Sequence, residues 1–313
     1  MTKRKHHYVW QYYLKAWATD GQVWCAMQGR LFRATTLSVG QQRDFYRLQE
    51  LSPTDIKVVE HLFIDNAHPV LAATSRGWIE PFQFIFNAKR HLHRLGYRPP
   101  ELDRELDRFI NDTEEDLHSR VEGESVRLLQ LLRGGDLSFW ASDKDCSQLL
   151  FFLCLQYMRT PKMRDGILAV VPPALPFNAA AAMGLMRLIS ATNISGSLYF
   201  ERGTVRLSLL RAPAGSSFIT TNQPVVNSKA YGITAGKAPE ELEFFYPVSP
   251  QYALVLTPRS EQPGTAVVDT SEAEVSRLNA MMVAMSREQV YAAAEIDLAA
   301  LGLGVGAPAS EPK

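Results

Sequence analysis

The chain has 313 residues, of which 46% are hydrophobic and 21% charged, and its formal net charge is zero. This composition is typical of a soluble globular protein, and the balanced charge excludes a molecule-wide field that would gather nucleic acid or an anionic membrane. Three cysteines lie far apart without a Cys-x-x-Cys pair, which argues against a disulfide framework and a thiolate zinc site.

The N-terminal region predicts a short helix followed by a β-hairpin. Residues 8–18 place aromatic and apolar side chains three and four positions apart, as on one face of a helix. Residues 22–28 and 31–36 read as two strands joined by Gly29-Arg30. No apolar run here is long enough for a signal peptide or a membrane span, so we expect a cytoplasmic protein with no transmembrane segment.

Five helices are predicted in the helical part of the chain, about residues 52–195. The third carries ten acidic and three basic residues between Glu101 and Glu124, a pattern that favours a solvent-exposed face. The fourth contains the all-apolar stretch Leu149–Leu155, which we expect to be the most buried helical segment. The predicted helices cover about residues 52–68, 81–95, 100–133, 142–167 and 178–192.

The chain becomes strand-rich at about residues 196–268, and a closing helix is predicted at about 271–301. Helices first, then strands, then a helix indicate an α+β fold in one domain over residues 1–303. We expect a mainly antiparallel sheet formed by the N-terminal hairpin and the C-terminal strands, and a disordered tail at 304–313. Strands are predicted at 196–201, 204–210, 217–220, 242–246, 253–256 and 266–268.

The opening stretch HHYVWQ contains the first candidate site residues. An imidazole titrates near neutral pH, as general base catalysis requires, and Gln11 follows His7 at a spacing that shares one helical face. His7 is therefore the candidate catalytic residue, with His6 and Gln11 as candidate ligand-binding residues. The alternative is that the histidines cap a helix or lie on the surface while the aromatic side chains enter the core.

Two later stretches could complete a polar site. In QYMRTP an arginine that follows an apolar helix can bind a carboxylate or phosphate, or it can pair with a buried acid for structure. In FITTNQPVV polar side chains at a strand end can line a pocket, or they can form a plain turn. One shared site requires His7, Arg159 and Asn222 to lie within about 10 Å of one another. The candidate ligand-binding residues of these stretches are Gln156, Arg159, Thr160, Asn222 and Gln223.

The sequence does not favour a metal site. Two carboxylate-x-x-His spacings, which end at His68 and His118, place both side chains on one helical face, and Glu60 could add a further carboxylate. Pro69 disturbs the first pair, however, and such spacings arise by chance in charged helices. We therefore assign no metal ligand, and the cofactor is unknown.

Taken in order, these stretches resemble a bacterial family known as domain of unknown function 4238. HYVWQYYL is similar to its opening HYVPQFYL, and DFY and Glu60 resemble its next landmarks. QYMRTP is similar to its Arg-Thr-Pro segment and FITTNQPVV to its ITSDNPV turn. FFYPVSPQYALVL and LNAMMVAMSREQVYA resemble its later strands and closing helix. The resemblance implies one α+β unit in a mostly cytoplasmic, bacterial or phage-related setting, and it adds Glu60 to the candidate ligand-binding residues. It carries no known activity.

Two positions depart from this family pattern. Trp10 replaces a proline, and Asn222 replaces the aspartate of the SDNP turn, with Gln223 in place of the asparagine. An amide can orient a substrate but cannot take a proton at neutral pH, which weighs against a metal-dependent hydrolase.

Three functions stay open. The first is a hydrolase or nuclease of unknown substrate, with His7 as acid or base, Gln11 and Asn222 orienting, and Arg159 binding an anionic small molecule or nucleic acid. The second is a non-catalytic ligand-binding or sensing module that uses the same pocket. The third is a structural or interaction protein.

Overall fold

The computed structural model describes residues 3–172, 174–233 and 239–304, and they form the α+β fold that the sequence predicts. Of the predicted tail at 304–313, all but the first residue lies outside the described residues, and the domain boundaries stay a prediction. The helices are α1 (Gln11–Leu14), α2 (Pro53–Phe63), α3 (Pro69–Arg76), α4 (Ile79–Arg94), α5 (Pro100–Arg133), α6 (Asp143–Met158), α7 (Pro161–Val170), α8 (Ala179–Phe200), α9 (Glu272–Met285) and α10 (Glu295–Ala299). The strands are β1 (Lys5–His7), β2 (Gln22–Met27), β3 (Arg30–Thr35), β4 (Gln41–Arg43), β5 (Arg206–Arg211), β6 (Thr220–Thr221), β7 (Val226–Asn227), β8 (Phe244–Pro247), β9 (Tyr252–Thr257), β10 (Gly264–Asp269) and β11 (Gln289–Ala292).

Among the described residues the strands pair mostly antiparallel, in three sheets. The N-terminal hairpin β2–β3 belongs to a four-stranded sheet of order β3-β2-β11-β6. The other C-terminal strands form a separate five-stranded sheet of order β10-β5-β9-β8-β7, in which only β10 and β5 run parallel. The short strands β1 and β4 form a third pair, which holds the opening histidines beside residues 41–43. The N-terminal hairpin therefore shares a sheet with the C-terminal strands β6 and β11, but not with the five strands of the other sheet.

α6 lies at the centre of the helical part and packs against α5 and α8. In Leu149–Leu155 every side chain except that of Phe151 is fully buried, which agrees with its expected burial. The three cysteines are buried free thiols, two of them on α6. None of the helices in the described part of the chain is long and apolar enough to span a membrane.

Several predicted elements were wrong in extent. The fourth predicted helix breaks at Thr160, which caps α7, and Pro161 opens that helix because it needs no amide donor there. The predicted strand at 196–201 is the last turn of α8, where Leu198 packs in the core. The predicted closing helix ends at Met285, because Gln289–Ala292 pairs as β11 between β2 and β6. The predicted N-terminal helix is only α1 and one 3₁₀ turn.

α8 crosses α3 closely at Gly196. A Cβ at this position would overlap the side chain of Leu71, whereas a Cβ at Gly166 on α7 would meet nothing within 4 Å. We therefore expect Gly196→Ala to lower the free energy of unfolding by about 1–3 kcal/mol. The control, Gly166→Ala, should raise it by up to about 1 kcal/mol because alanine favours helix. Chemical denaturation of both variants measures this, and equal effects would contradict the close crossing.

Candidate functional site

Arg159 connects the opening stretch to α5 and is fully buried. Its Nε donates to the carbonyl oxygen of Tyr8 at 3.1 Å and its Nη2 to that of His7 at 2.7 Å. Its Nη1 lies 2.7 Å from Oε1 of Glu122. The guanidinium group therefore binds one carboxylate and two carbonyl groups of the protein, which corresponds to the structural alternative considered for this arginine.

α5 presents only part of its acidic residues to solvent: Glu101, Glu105, Asp116 and Glu124 are exposed, but an acidic stripe on another part of the helix is buried. Glu114, His118 and Glu122 recur every four residues and are at most 6% exposed. Arg187 of α8 donates to Glu114 at 2.6 Å, and Arg159 lies 2.7 Å from Glu122. The prediction of a solvent-exposed face was wrong here because arginines from other helices provide the positive charges that burial of these carboxylates requires.

A small cleft of about 250 Å³ opens beside this stripe. Its α5 residues recur at spacings of four, seven and eight, so they share one helical face. Gln11 places its amide nitrogen 3.0 Å from Nε2 of His7, and the amide of His7 donates to Oε1 of Glu115 at 3.3 Å. The cleft is lined by His7, Trp10, Gln11, Glu115, Ser119, Glu122 and Gly123.

Burial shifts the proton affinities in this cleft in opposite directions. It lowers the pKa of His7, and the positive charge of Arg159 lowers this pKa further. It raises the pKa of Glu115, and it raises the pKa of Glu122 to about 7, against the opposing effect of Arg159. Near neutral pH the imidazole of His7 is therefore unprotonated, while a substantial fraction of Glu122 carries a proton.

His6 is fully buried and bound by the protein on both ring nitrogens. The amide of Tyr46 donates to Nδ1 at 2.8 Å, so Nε2 carries the proton and donates to the carbonyl oxygen of Lys3 at 2.7 Å. The ring also stacks on Tyr46 with centroids 5.6 Å apart. These contacts hold β1 against the Asp44–Tyr46 segment.

The Asn-Gln-Pro turn is also tied to neighbouring segments. Asn222 accepts from the amide of Arg287 at 3.0 Å, which fixes the approach to β11. Gln223 accepts from the hydroxyl of Thr160, and its amide donates to the carbonyl oxygen of Val225 at 2.7 Å. The Arg-Thr-Pro segment therefore contacts both the opening stretch and this turn.

The structure brings the three predicted stretches together, but of the predicted site residues only His7 and Gln11 line the cleft. Gln156 is buried beside Glu122. Glu60 is half-buried on α2 and has no side-chain hydrogen bond or ion pair within residues 3–172, 174–233 and 239–304. The predicted ligand-binding roles stay predictions. Sequence reasoning missed Glu115 and Glu122 in this cleft, although their spacing on one helical face was a usable signal.

No group of three or more His, Cys, Asp or Glu side chains in the described ranges is arranged to hold a metal ion. The family model described as "Protein of unknown function (DUF4238)" matches residues 5–182 and 199–295. Comparison with curated proteins and with solved structures gave no match.

Proposed function

The chain belongs to the DUF4238 family of proteins of unknown function, and we propose that it is a hydrolase that uses acid–base catalysis in the His7 cleft. One observation carries this proposal: a cleft that opens to solvent contains an unprotonated imidazole beside a carboxyl group whose pKa is raised to about 7. A base that has lost its proton and an acid that keeps one are the pair that hydrolysis requires near neutral pH.

In this mechanism His7 accepts a proton from a water molecule as the water oxygen attacks an electrophilic carbon or phosphorus atom. The bond to the leaving group then breaks, and Glu122 gives its proton to the leaving oxygen or nitrogen. Gln11 orients the imidazole through its amide contact. Arg159 is a positioning residue, because it binds Glu122 and the backbone of His7 and contacts no substrate.

We expect His7→Asn and Glu122→Gln each to lower kcat by about 100- to 10,000-fold, the range for loss of a general acid or base. The assay uses p-nitrophenyl carboxylic esters, bis-p-nitrophenyl phosphate and a single-stranded oligonucleotide. Activity should rise with pH through the lowered pKa of His7 and fall above the pKa of about 7 for Glu122. The control is Glu124→Gln, an exposed glutamate two residues along α5, which should keep wild-type activity.

Wild-type protein that turns over none of these substrates, or that turns them over equally well without His7, would contradict the hydrolase. A second candidate function, a non-catalytic binding module, is favoured by the amide at Asn222, which binds backbone and cannot transfer a proton. Saturable binding of one of these compounds without turnover would support that module.

A further inference from the structure

A second cavity lies apart from the His7 cleft, between the segment at 42–51 and helices α7 and α8. Its volume is about 430 Å³, within the range of small-molecule sites. Its apolar lining includes Leu51, Phe82, Leu168 and Met183. Its charged lining is Arg43, Asp44, Arg47, Glu114, Arg164 and Arg187.

Phe45 lines this cavity and contacts two guanidinium groups. The central carbon of Arg164 lies 5.0 Å from the ring centroid of Phe45, and that of Arg187 lies 5.3 Å from it. These cation–π contacts hold both arginines at the same side chain. Apolar surface and positive charge therefore meet at one point in the cavity.

Each arginine that lines the cavity lies near a carboxylate: Arg43 near Asp44, Arg47 near Asp107, Arg164 near Asp165 and Arg187 near Glu114. Asp165 also lies 3.1 Å from Arg287, which has Glu288 as a second partner. Among the described residues around the cavity, the donor that stays free belongs to Arg187. Arg187 directs Nε and Nη2 to a single oxygen of Glu114, and its buried Nη1 has no hydrogen-bond partner within the described residues. A buried N–H group without a partner is unfavourable, so this guanidinium group can donate a further hydrogen bond to an acceptor in the cavity.

We propose that this cavity binds a small molecule with an apolar body and one anionic group, a carboxylate or a phosphate. The apolar body packs on Leu51, Phe82 and Leu168. The anionic group lies against Arg187, whose Nη1 is the unused donor, and against Arg164, which contacts the same phenylalanine. This site does not depend on the proposed hydrolase activity.

The test is isothermal titration of the full chain with phenyl phosphate, 3-phenylpropanoate, the neutral 3-phenylpropan-1-ol and inorganic phosphate. At least one aromatic anion should bind with Kd below about 1 mM, and the neutral alcohol at least about tenfold more weakly. The better of the two aromatic anions identifies phosphate or carboxylate as the recognised group. Inorganic phosphate should bind more weakly than phenyl phosphate because it lacks the apolar body.

Two variants locate the site. Arg164→Met removes the charge and should weaken binding at least about tenfold, while Ala181→Phe should fill the cavity from α8 and block it. The matched control is Arg259→Met, an exposed arginine paired with Glu201 away from this cavity. His7→Asn should also bind as wild type does. Absence of binding of both anions at about 10 mM, or wild-type binding by folded Arg164→Met and Ala181→Phe, would overturn the proposal.

Discussion

Leu153→Asp is expected to abolish soluble expression. The side chain of Leu153 is fully buried in the centre of α6, among apolar neighbours from α5 and α8. An unpaired carboxylate in such a position is so unfavourable that the group must take up a proton or the core must open. The cost is comparable with the whole stability of a typical domain, about 5–15 kcal/mol. Soluble yield and thermal melting measure the outcome, and Leu150→Asp should behave alike.

The matched control for this substitution is Ser147→Asp, on the exposed face of the same helix. It introduces the same charge into the same helix without burying it, so it should leave yield and melting temperature near those of the wild type. Normal yield and melting for Leu153→Asp would show that this face of α6 is accessible to water.

Arg159→Met is expected to lower the free energy of unfolding by about 3–5 kcal/mol at pH 8, the usual cost of breaking a buried ion pair. Methionine leaves the carboxylate of Glu122 buried without its positive partner and leaves the carbonyl groups of His7 and Tyr8 without a donor. Urea denaturation measures the change. The result would assign Arg159 a structural role and would remove it as the direct binder of an anionic ligand.

The decrease in the free energy of unfolding caused by Arg159→Met should be smaller at pH 5 than at pH 8. In the native state the pKa of Glu122 is already raised to about 7, and removal of Arg159 raises it further. The folded chain then binds a proton that the unfolded chain releases above about pH 4.3, so stability is highest at low pH and falls as pH rises towards the folded pKa. In Arg159→Met/Glu122→Gln neither position can carry a charge, so the part of the pH dependence that comes from Glu122 should disappear. An equal decrease in the free energy of unfolding of Arg159→Met at both pH values would contradict the pairing of Arg159 with Glu122.

Local sequence signals predicted much of the fold. The two runs around Gly29-Arg30 became β2 and β3, and Pro100 and Gly134 bound α5 as predicted. β11 was missed because Gln289–Ala292 has no strong strand pattern, and its pairing with β2 and β6 decides its conformation. The last turn of α8 was assigned to a strand for a similar reason, since Leu198 is buried by distant parts of the chain.

The candidate site was predicted less completely than the fold. The side chains of His7 and Gln11 do lie together, but the predicted shared helical face was wrong because His7 ends strand β1 and Gln11 begins α1. The carboxylates of Glu115 and Glu122 were read as part of a solvated helix, because whether an acid is buried depends on its partner. For Glu122 that partner is Arg159, on another helix, and no local pattern identifies such a pair.

The four-stranded sheet also constrains the order in which the protein can fold. β2 lies near the start of the chain, yet its inner edge pairs with β11, close to the end of the described residues. During synthesis the hairpin β2–β3 must therefore wait, with one row of backbone amide and carbonyl groups unpaired, until residue 292 has left the ribosome. Contacts of such long range slow folding, and open strand edges promote aggregation. A nascent chain of this protein therefore remains susceptible to misassociation until translation is nearly complete, and slower synthesis prolongs that interval.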